Sequence, residues 1–185
     1  MTAAPRRRAA IVEGDGADVR VELAVDGAGR AVVATGDSVL DHLLELTARQ
    51  ARFDLTIARA EPRGADGGAV EHIAGALGRA LVGALGDPRG VRRCGSATMP
   101  CDEALALVAV DLSGRPYLAY DLDLSGVRIG RFDADLARRF LRALVEAAGI
   151  TLHVRLLSGR DPHHIVDAVF EGFGEALRTA CEILA

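Results

Sequence analysis

The chain has 185 residues, half of them hydrophobic but only 4% aromatic, with a net charge of −4. That length suits one domain or two small fused halves around a core of Leu, Val, Ile and Ala. The acidic balance argues against a generic polyanion binder, and no stretch reads as a signal-peptide core or a membrane span.

In chain order, the run Arg6-Arg7-Arg8 reads as a solvated tail. Val19, Val21, Leu23 and Val25 alternate as a half-buried strand, Asp26 to Gly29 make a turn, and Ala31 to Ala34 form the returning strand. Ser38 and Asp41 resemble a capping box for a helix running to about Gln50. Leu55 and Ile57 mark a strand. Val70, Ile73, Leu77, Leu81 and Leu85 then recur at helical spacing, and Gly86 closes that helix. The order repeats: a strand over Leu105 to Leu112, a Ser113-Gly114 turn, a strand over Tyr117 to Leu122, and a helical stripe of Leu136, Phe140, Leu144 and Val145 ended by Gly149. A strictly alternating strand through Leu152 and Val154 and a last helix carrying Val166, Phe170, Phe173, Leu177 and Leu184 complete the second copy.

Each half is therefore strand-strand-helix-strand-helix, divided as residues 1–95 and 96–185 and packed as one α/β (α+β) domain. The last helices of the halves align at a constant offset of 96 residues: Leu81 with Leu177, Gly78 with Gly174, Glu71 with Asp167. On that register Gly67-Gly68 stands where the second half has His163-His164. Three cysteines, Cys94, Cys101 and Cys181, form no C-x-x-C and read as reduced thiols of a cytoplasmic protein.

His163, His164 and Asp167 open the last helix, with the carboxylate at i+4 and i+3 from the two imidazoles. Nitrogen and carboxylate oxygen suit zinc, manganese or iron(II); the spacing equally fits a polar helix entrance. His42 and His153 read singly as hydrogen-bonded histidines as readily as ligands. Three glycine-led segments carry arginine at element ends: Gly90 to Arg93, Asp111 to Pro116, and Ser158 to Arg160. They could converge on one phosphate or be ordinary turns.

Read in series, the motifs resemble one family. Val39-Leu40-Asp41-His42-Leu43 resembles Phe-Leu-Asp-His-Met, and Gly86 to Arg93 resembles Gly-Asp-Lys-x-Gly-Ile-x-Arg. Pro100 to Leu105 resembles Pro-Met-Asp-Glu-Ala-Leu, and Asp111 to Pro116 reads Asp-Leu-Ser-Gly-Arg-Pro unchanged. Thr151 to Val154 and Ser158 to Phe170 resemble Thr-Leu-His-Ile and Gly-Lys-Asn-x-His-His-x-x-Glu-Ala-x-Phe. The family is imidazoleglycerol-phosphate dehydratase of histidine biosynthesis. The resemblance implies a duplicated fold of the ribosomal S5 domain 2-like kind and a two-manganese site built between subunits. It also implies trimers joined through the metals into a twenty-four-subunit shell, and a reaction that eliminates water from a phosphorylated imidazole-glycerol substrate. It assigns the substrate phosphate to Arg93, Arg115, Ser158 and Arg160.

The departures from the family pattern concentrate in the first half. The motif Asp-Asp-His-His-Thr-x-Glu-Asp stands here as Ala65-Asp66-Gly67-Gly68-Ala69-Val70-Glu71-His72. Family histidines fall on Gln50 and Arg139, the second motif's glutamate has become Asp167, and an N-terminal glutamate has no match in Gly14-Asp15-Gly16-Ala17, with Glu13 or Asp15 as substitutes. The metal-ligand set is thus the incomplete His42, Glu71, His163, His164 and Asp167, of which His42, His164 and Asp167 are expected to hold one ion with His163 or water as a fourth group. The expectation is at most one divalent metal per subunit, manganese by resemblance, or none. Glu71, His72 and Asp102 are catalytic candidates. Arg139, Gln50 and His72 are candidates for direct hydrogen bonds across a subunit seam. The expected partners are a phosphorylated small molecule and other copies of the chain as a homotrimer or larger shell, with no nucleic acid and no membrane. The function expected is a weakened or altered dehydratase, or alternatively a catalytically inactive ligand-binding or co-assembling subunit.

Overall fold

The computed structural model describes residues 7–13, 19–59, 67–87 and 89–184. The first half runs β1 (Arg8–Glu13), β2 (Val19–Ala24), β3 (Ala31–Ala34), α1 (Ser38–Ala51), β4 (Asp54–Arg59) and α2 (Gly67–Leu85). The second runs β5 (Cys94–Cys101), β6 (Ala104–Asp111), β7 (Tyr117–Asp121), the short pair β8 (Arg128–Ile129) and β9 (Phe132–Asp133), α3 (Asp135–Ala148), β10 (Thr151–Ser158) and α4 (Pro162–Ala180). The duplicated strand-strand-helix-strand-helix order is present, and each half carries one further strand at its start, β1 or β5. Neither announces itself in the sequence: β5 reads Cys-Gly-Ser-Ala-Thr-Met-Pro-Cys, with small and polar residues and little apolar alternation.

The two sheets have the same topology, β1-β2-β4-β3 and β5-β6-β10-β7. In each, the third-listed strand is antiparallel to one neighbour and parallel to the other: β4 to β2 and β3, β10 to β6 and β7. Strand alternation buries one face of each sheet, as in β2, where Val19, Val21 and Leu23 point inward while Arg20 is exposed. The helices cover those faces and then pack on helices of the other half, α1 on α4 and α2 on α3. The four helices thus lie between the sheets, with Phe140 of α3 meeting Phe170 of α4 at 5.9 Å.

Two glycines permit the helix crossings. A Cβ on Gly174 would lie 2.4 Å from the Thr47 carbonyl oxygen of α1, and one on Gly78 would lie 2.8 Å from the Leu144 carbonyl oxygen of α3. Either contact is too close for a methyl group, so backbone meets backbone at both crossings.

Three local expectations need correction. The last helix ends at Ala180, short of Leu184, which is exposed. The cap of α1 is Asp37, whose carboxylate accepts from the Val39 and Leu40 amides; Asp41 instead accepts from the Thr35 amide and hydroxyl. Arg7 is not part of a solvated tail: it donates to both oxygens of Asp26 at 2.9 and 2.6 Å and to the Cys181 carbonyl at 2.9 Å. The first strand begins at Arg8, so the chain is already fixed there, and Arg7 ties it to the end of the last helix. All three cysteines are free thiols, and among the described residues no helix is long and apolar enough to cross a membrane. Asp15 with the rest of residues 14–17, and residues 65–66, lie outside the described residues.

Candidate functional site

Asp161 caps α4 through its bond from the His163 amide, and Pro162 takes the first turn, where no amide donor is needed. The next two residues are the histidine pair. Successive side chains on a helix point about 100° apart, so only one of them can face α1. It is His163. Its Nε2 lies 3.5 Å from Asp167 Oδ2 one turn on, and His42 of α1 approaches the same oxygen with Nε2 at 3.2 Å. The two imidazoles stack with centroids 5.9 Å apart. One donor atom from each of His42, His163 and Asp167 falls within 4.8 Å of the others.

This cluster takes His163 where the sequence suggested His164. Asp167 is buried, at 8% exposure, and its Oδ1 has no hydrogen-bond partner among the described residues. A buried carboxylate oxygen without a partner carries a desolvation cost that a cation would offset. Two imidazole nitrogens and a carboxylate are the donor set of a transition-metal ion. The residues present therefore fit one divalent metal. Cys101, near Asp167, has its thiol pushed above the ordinary value by burial, reinforced by the charges of Asp167 and Glu171, so it remains a neutral neighbour.

His164 turns instead to the β5–β6 turn. Its Nδ1 meets Glu103 Oε2 at 2.6 Å, and its Nε2 lies 3.4 Å from Asp102 Oδ2. Asp102 itself adopts a positive φ of 47°, a conformation that Asp tolerates better than most residues. The Asp161 and Arg160 amides and the imidazole hold Glu103 down at about 2, and donating to Glu103 raises the His164 pKa above the ordinary imidazole value. Glu103 was missed as a functional residue in the sequence. Its signal lies in the Pro100–Leu105 motif, next to Asp102.

Among the described residues, Glu71 of α2 joins no metal cluster. Both Nε and Nη2 of Arg139 donate to Glu71 Oε1, at 3.0 and 2.9 Å. Arg139, expected to bond across a subunit seam, is engaged within its own chain. Gln50 lies at the α1–α4 crossing, where its Cβ faces Gly174. His72 is exposed on α2.

The anion-binding candidates fall into two separate pairs. Arg93, at a positive φ of 73°, donates to Asp111 at 2.7 and 3.1 Å, and the Thr151 hydroxyl donates to the Arg115 carbonyl at 3.2 Å. Bonding to Asp111 raises the Arg93 pKa and lowers that of Asp111, to which Arg115 also contributes. Ser158 and Arg160 sit at the far end of β10, where Ser158 pairs with Leu105 while Thr151 pairs with Asp111. Seven residues of strand separate the pairs by about 23 Å, so one subunit does not bring the four residues to one phosphate. Arginine at an element end is visible in sequence; which end of the strand it occupies is not. The adjoining open face of the second sheet is a cavity of about 590 Å³ lined by Arg92, Ser96, Asp111, Thr151, His153 and Thr179.

Comparisons with known proteins place this geometry. The family model described as imidazoleglycerol-phosphate dehydratase matches residues 35–177. The imidazoleglycerol-phosphate dehydratase of Desulforudis audaxviator (strain MP104C) is 50% identical over 91% of this chain and 86% of its own. That of Trichlorobacter lovleyi is 46% identical over 88% of this chain and 84% of its own. Among solved structures, imidazoleglycerol-phosphate dehydratase from Staphylococcus aureus subsp. aureus N315 superposes with a TM-score of 0.86 at 31% identity, covering 95% of this chain and 98% of that one. The Pyrococcus furiosus structure in complex with (S)-C348 gives 0.79 at 33% identity, covering 95% and 94%.

Proposed function

Because the chain belongs to the imidazoleglycerol-phosphate dehydratase family, we propose that it binds a phosphorylated imidazole-type small molecule with one divalent metal per subunit and retains, at most, weakened water-eliminating chemistry as a carbon–oxygen hydro-lyase. The observation that carries this reading is the unequal state of the two equivalent helix crossings, α1–α4 and α2–α3. His42, His163 and Asp167 form a donor set with an unpartnered carboxylate oxygen, while Glu71 is already engaged by Arg139.

A divalent ion at the α1–α4 cluster, manganese by the family resemblance, would supply Lewis-acid polarisation of a bound nitrogen or oxygen. The chain's own groups do the rest. Arg93 and Arg115 offer charged donors to a phosphate from one subunit, and Ser158 with Arg160 offer them from another, since no single subunit brings these pairs together. A site shared between copies is therefore part of the proposal. His164, oriented by Glu103 at Nδ1, presents Nε2 beside Asp102 and can hand a proton to a departing hydroxyl oxygen. Glu71 Oε1 is already taken up by two donors of Arg139.

Turnover of imidazoleglycerol phosphate is the test. The expected rate is at least about a thousandfold below that of a working enzyme, roughly 4 kcal/mol in barrier, with metal-dependent ligand binding retained. Complementation of a histidine auxotroph at normal expression would overturn the proposal. The Arg139–Glu71 pair also favours a second reading, a ligand-binding or co-assembling subunit without catalysis; tight binding with no turnover above the uncatalysed rate would select it.

Assembly follows from the same unequal crossings. The open sheet faces expose apolar groups such as Val32 at 67%, surface that a homotrimer would cover. Any larger shell would depend on the surviving metal. Light scattering with and without chelator checks this: trimers after chelation are expected, and a shell that survives it would contradict the proposal.

A further inference from the structure

The internal duplication makes two positions in this molecule equivalent, and only one of them has metal-binding character. Helices α2 and α4 correspond at an offset of 96 residues, and α1 and α3, each 14 residues long, at an offset of 97. The packing checks both offsets independently. Gly174 meets Thr47 and Gln50, and its mate Gly78 meets Leu144 and Ala147, which are the residues 97 past Thr47 and Gln50. On this correspondence Arg139 is the mate of His42, and Glu71 is the mate of Asp167. The contacts correspond as well: His42 meets Asp167 at 3.2 Å and Arg139 meets Glu71 at 2.9 Å.

We infer that the Arg139 guanidinium of α3 is a built-in cation at the α2–α3 crossing, standing in for a metal ion at the position equivalent to His42, His163 and Asp167, so that this crossing neutralises the Glu71 carboxylate and takes no metal. Charge supports this directly. A neutral imidazole pair with Asp167 leaves one negative charge to be balanced from outside; Arg139 with Glu71 sums to zero. Donors support it too, because the mates of His163 and His164 are Gly67 and Gly68, which bring no side-chain ligand. A guanidinium stays charged at any working pH, has only donors and cannot ligate a metal. It both satisfies Glu71 and repels a second cation. The inference extends the reading of the α1–α4 cluster as a metal site, but its own claim concerns Arg139.

The test is a manganese and a zinc titration by calorimetry on the parent, H42A, G67H/G68H and G67H/G68H/R139H, with thermal melts to check folding. Gly68 and the Arg139 side chain are exposed, so these variants are expected to fold as the parent does. The parent should bind one equivalent, lost in H42A. The triple variant should gain a second equivalent that persists when H42A is added. G67H/G68H, with Arg139 in place, should bind that second ion at least about tenfold more weakly than the triple variant. Equal second-site affinity in these two would overturn the inference, as would a triple variant that gains no metal. A second equivalent in the parent that survives H42A would overturn it as well, and this arm requires no variant at the α2–α3 crossing. A parent that binds no metal would instead sink the metal reading of the α1–α4 crossing, leaving Arg139 to be judged by the G67H/G68H and triple-variant pair.

Discussion

The α1–α4 crossing and the α2–α3 crossing are built on the same backbone plan and end in different chemistry. Both pack through a glycine laid against a carbonyl of the partner helix, Gly174 on Thr47 and Gly78 on Leu144. Both place a side chain of the shorter helix against an acid of the longer one. At the first crossing the result is two imidazoles and a buried carboxylate with a vacant oxygen; at the second it is a half-exposed salt bridge. Duplication fixed the geometry twice, while the residues at four positions decide whether that geometry calls for a metal. The difference teaches that a helix crossing can be retained for packing after its ligand chemistry has been replaced.

The sharpest break in the comparison should come from the two acids. Asp167→Asn is expected to weaken manganese affinity at least about a hundredfold, more than the loss typical of a group behind a ligand, whereas Glu71→Gln should leave it unchanged. Equal losses in a calorimetric titration would erase the distinction between the crossings. Next in size is the anion end of the second half. Arg115→Ala should weaken binding of a phosphate ester by about ten- to a hundredfold, as expected for one charge-assisted hydrogen bond. Unchanged affinity would make the Asp111–Pro116 turn structural only.

Packing gives a smaller and more graded comparison. Gly174→Ala should destabilise the protein by about 1–3 kcal/mol, the usual range for overpacking, and by more than Gly78→Ala, because its Cβ would meet a backbone oxygen at 2.4 rather than 2.8 Å. Urea unfolding of both variants checks the order, and the reverse order would contradict the crossing geometry. The smallest effect separates Asp54 from its mate Thr151. Bonds from the Ala28 and Arg30 amides hold the Asp54 carboxyl down at about 2, against an ordinary 3.8. A depressed folded pKa stabilises above the unfolded value, so this contribution should be complete above about 3.8 and vanish as pH falls through about 2. Thr151, which bonds the Arg115 carbonyl instead, has nothing to titrate. Hydrogen exchange at the Ala28 amide should quicken across that acid range, and Asp54→Asn should cost about 1 kcal/mol at neutral pH. An acid-insensitive Ala28 amide would contradict it.

The fold was largely legible because it rests on periodicity. The matched stripes ending in Gly86 and Gly149 and the glycine pair 78 and 174 reveal the duplication without any contact being known. The strands β1 and β5 were not legible, because neither alternates: β1 is a short apolar run between two charges and β5 mixes small and polar residues. For the site, residue types were readable and directions were not. That His163, rather than His164, faces His42 follows from how α4 is rotated against α1, which packing decides. That Arg139 meets Glu71 within one chain depends on the α2–α3 crossing, which spacing along the sequence does not encode. The separation of Arg93 and Arg115 from Ser158 and Arg160 is a matter of strand direction, visible only once β10 is paired with β6.

The central claim is that one helix crossing of this protein, α1–α4, takes a metal and its mate, α2–α3, has replaced it with an arginine. Anomalous scattering from crystals soaked in manganese tests this most directly, since it locates each ion against named side chains. The account expects one peak per chain, between His42, His163 and Asp167, and none beside Glu71. A manganese peak at Glu71, with Arg139 turned away, would contradict it.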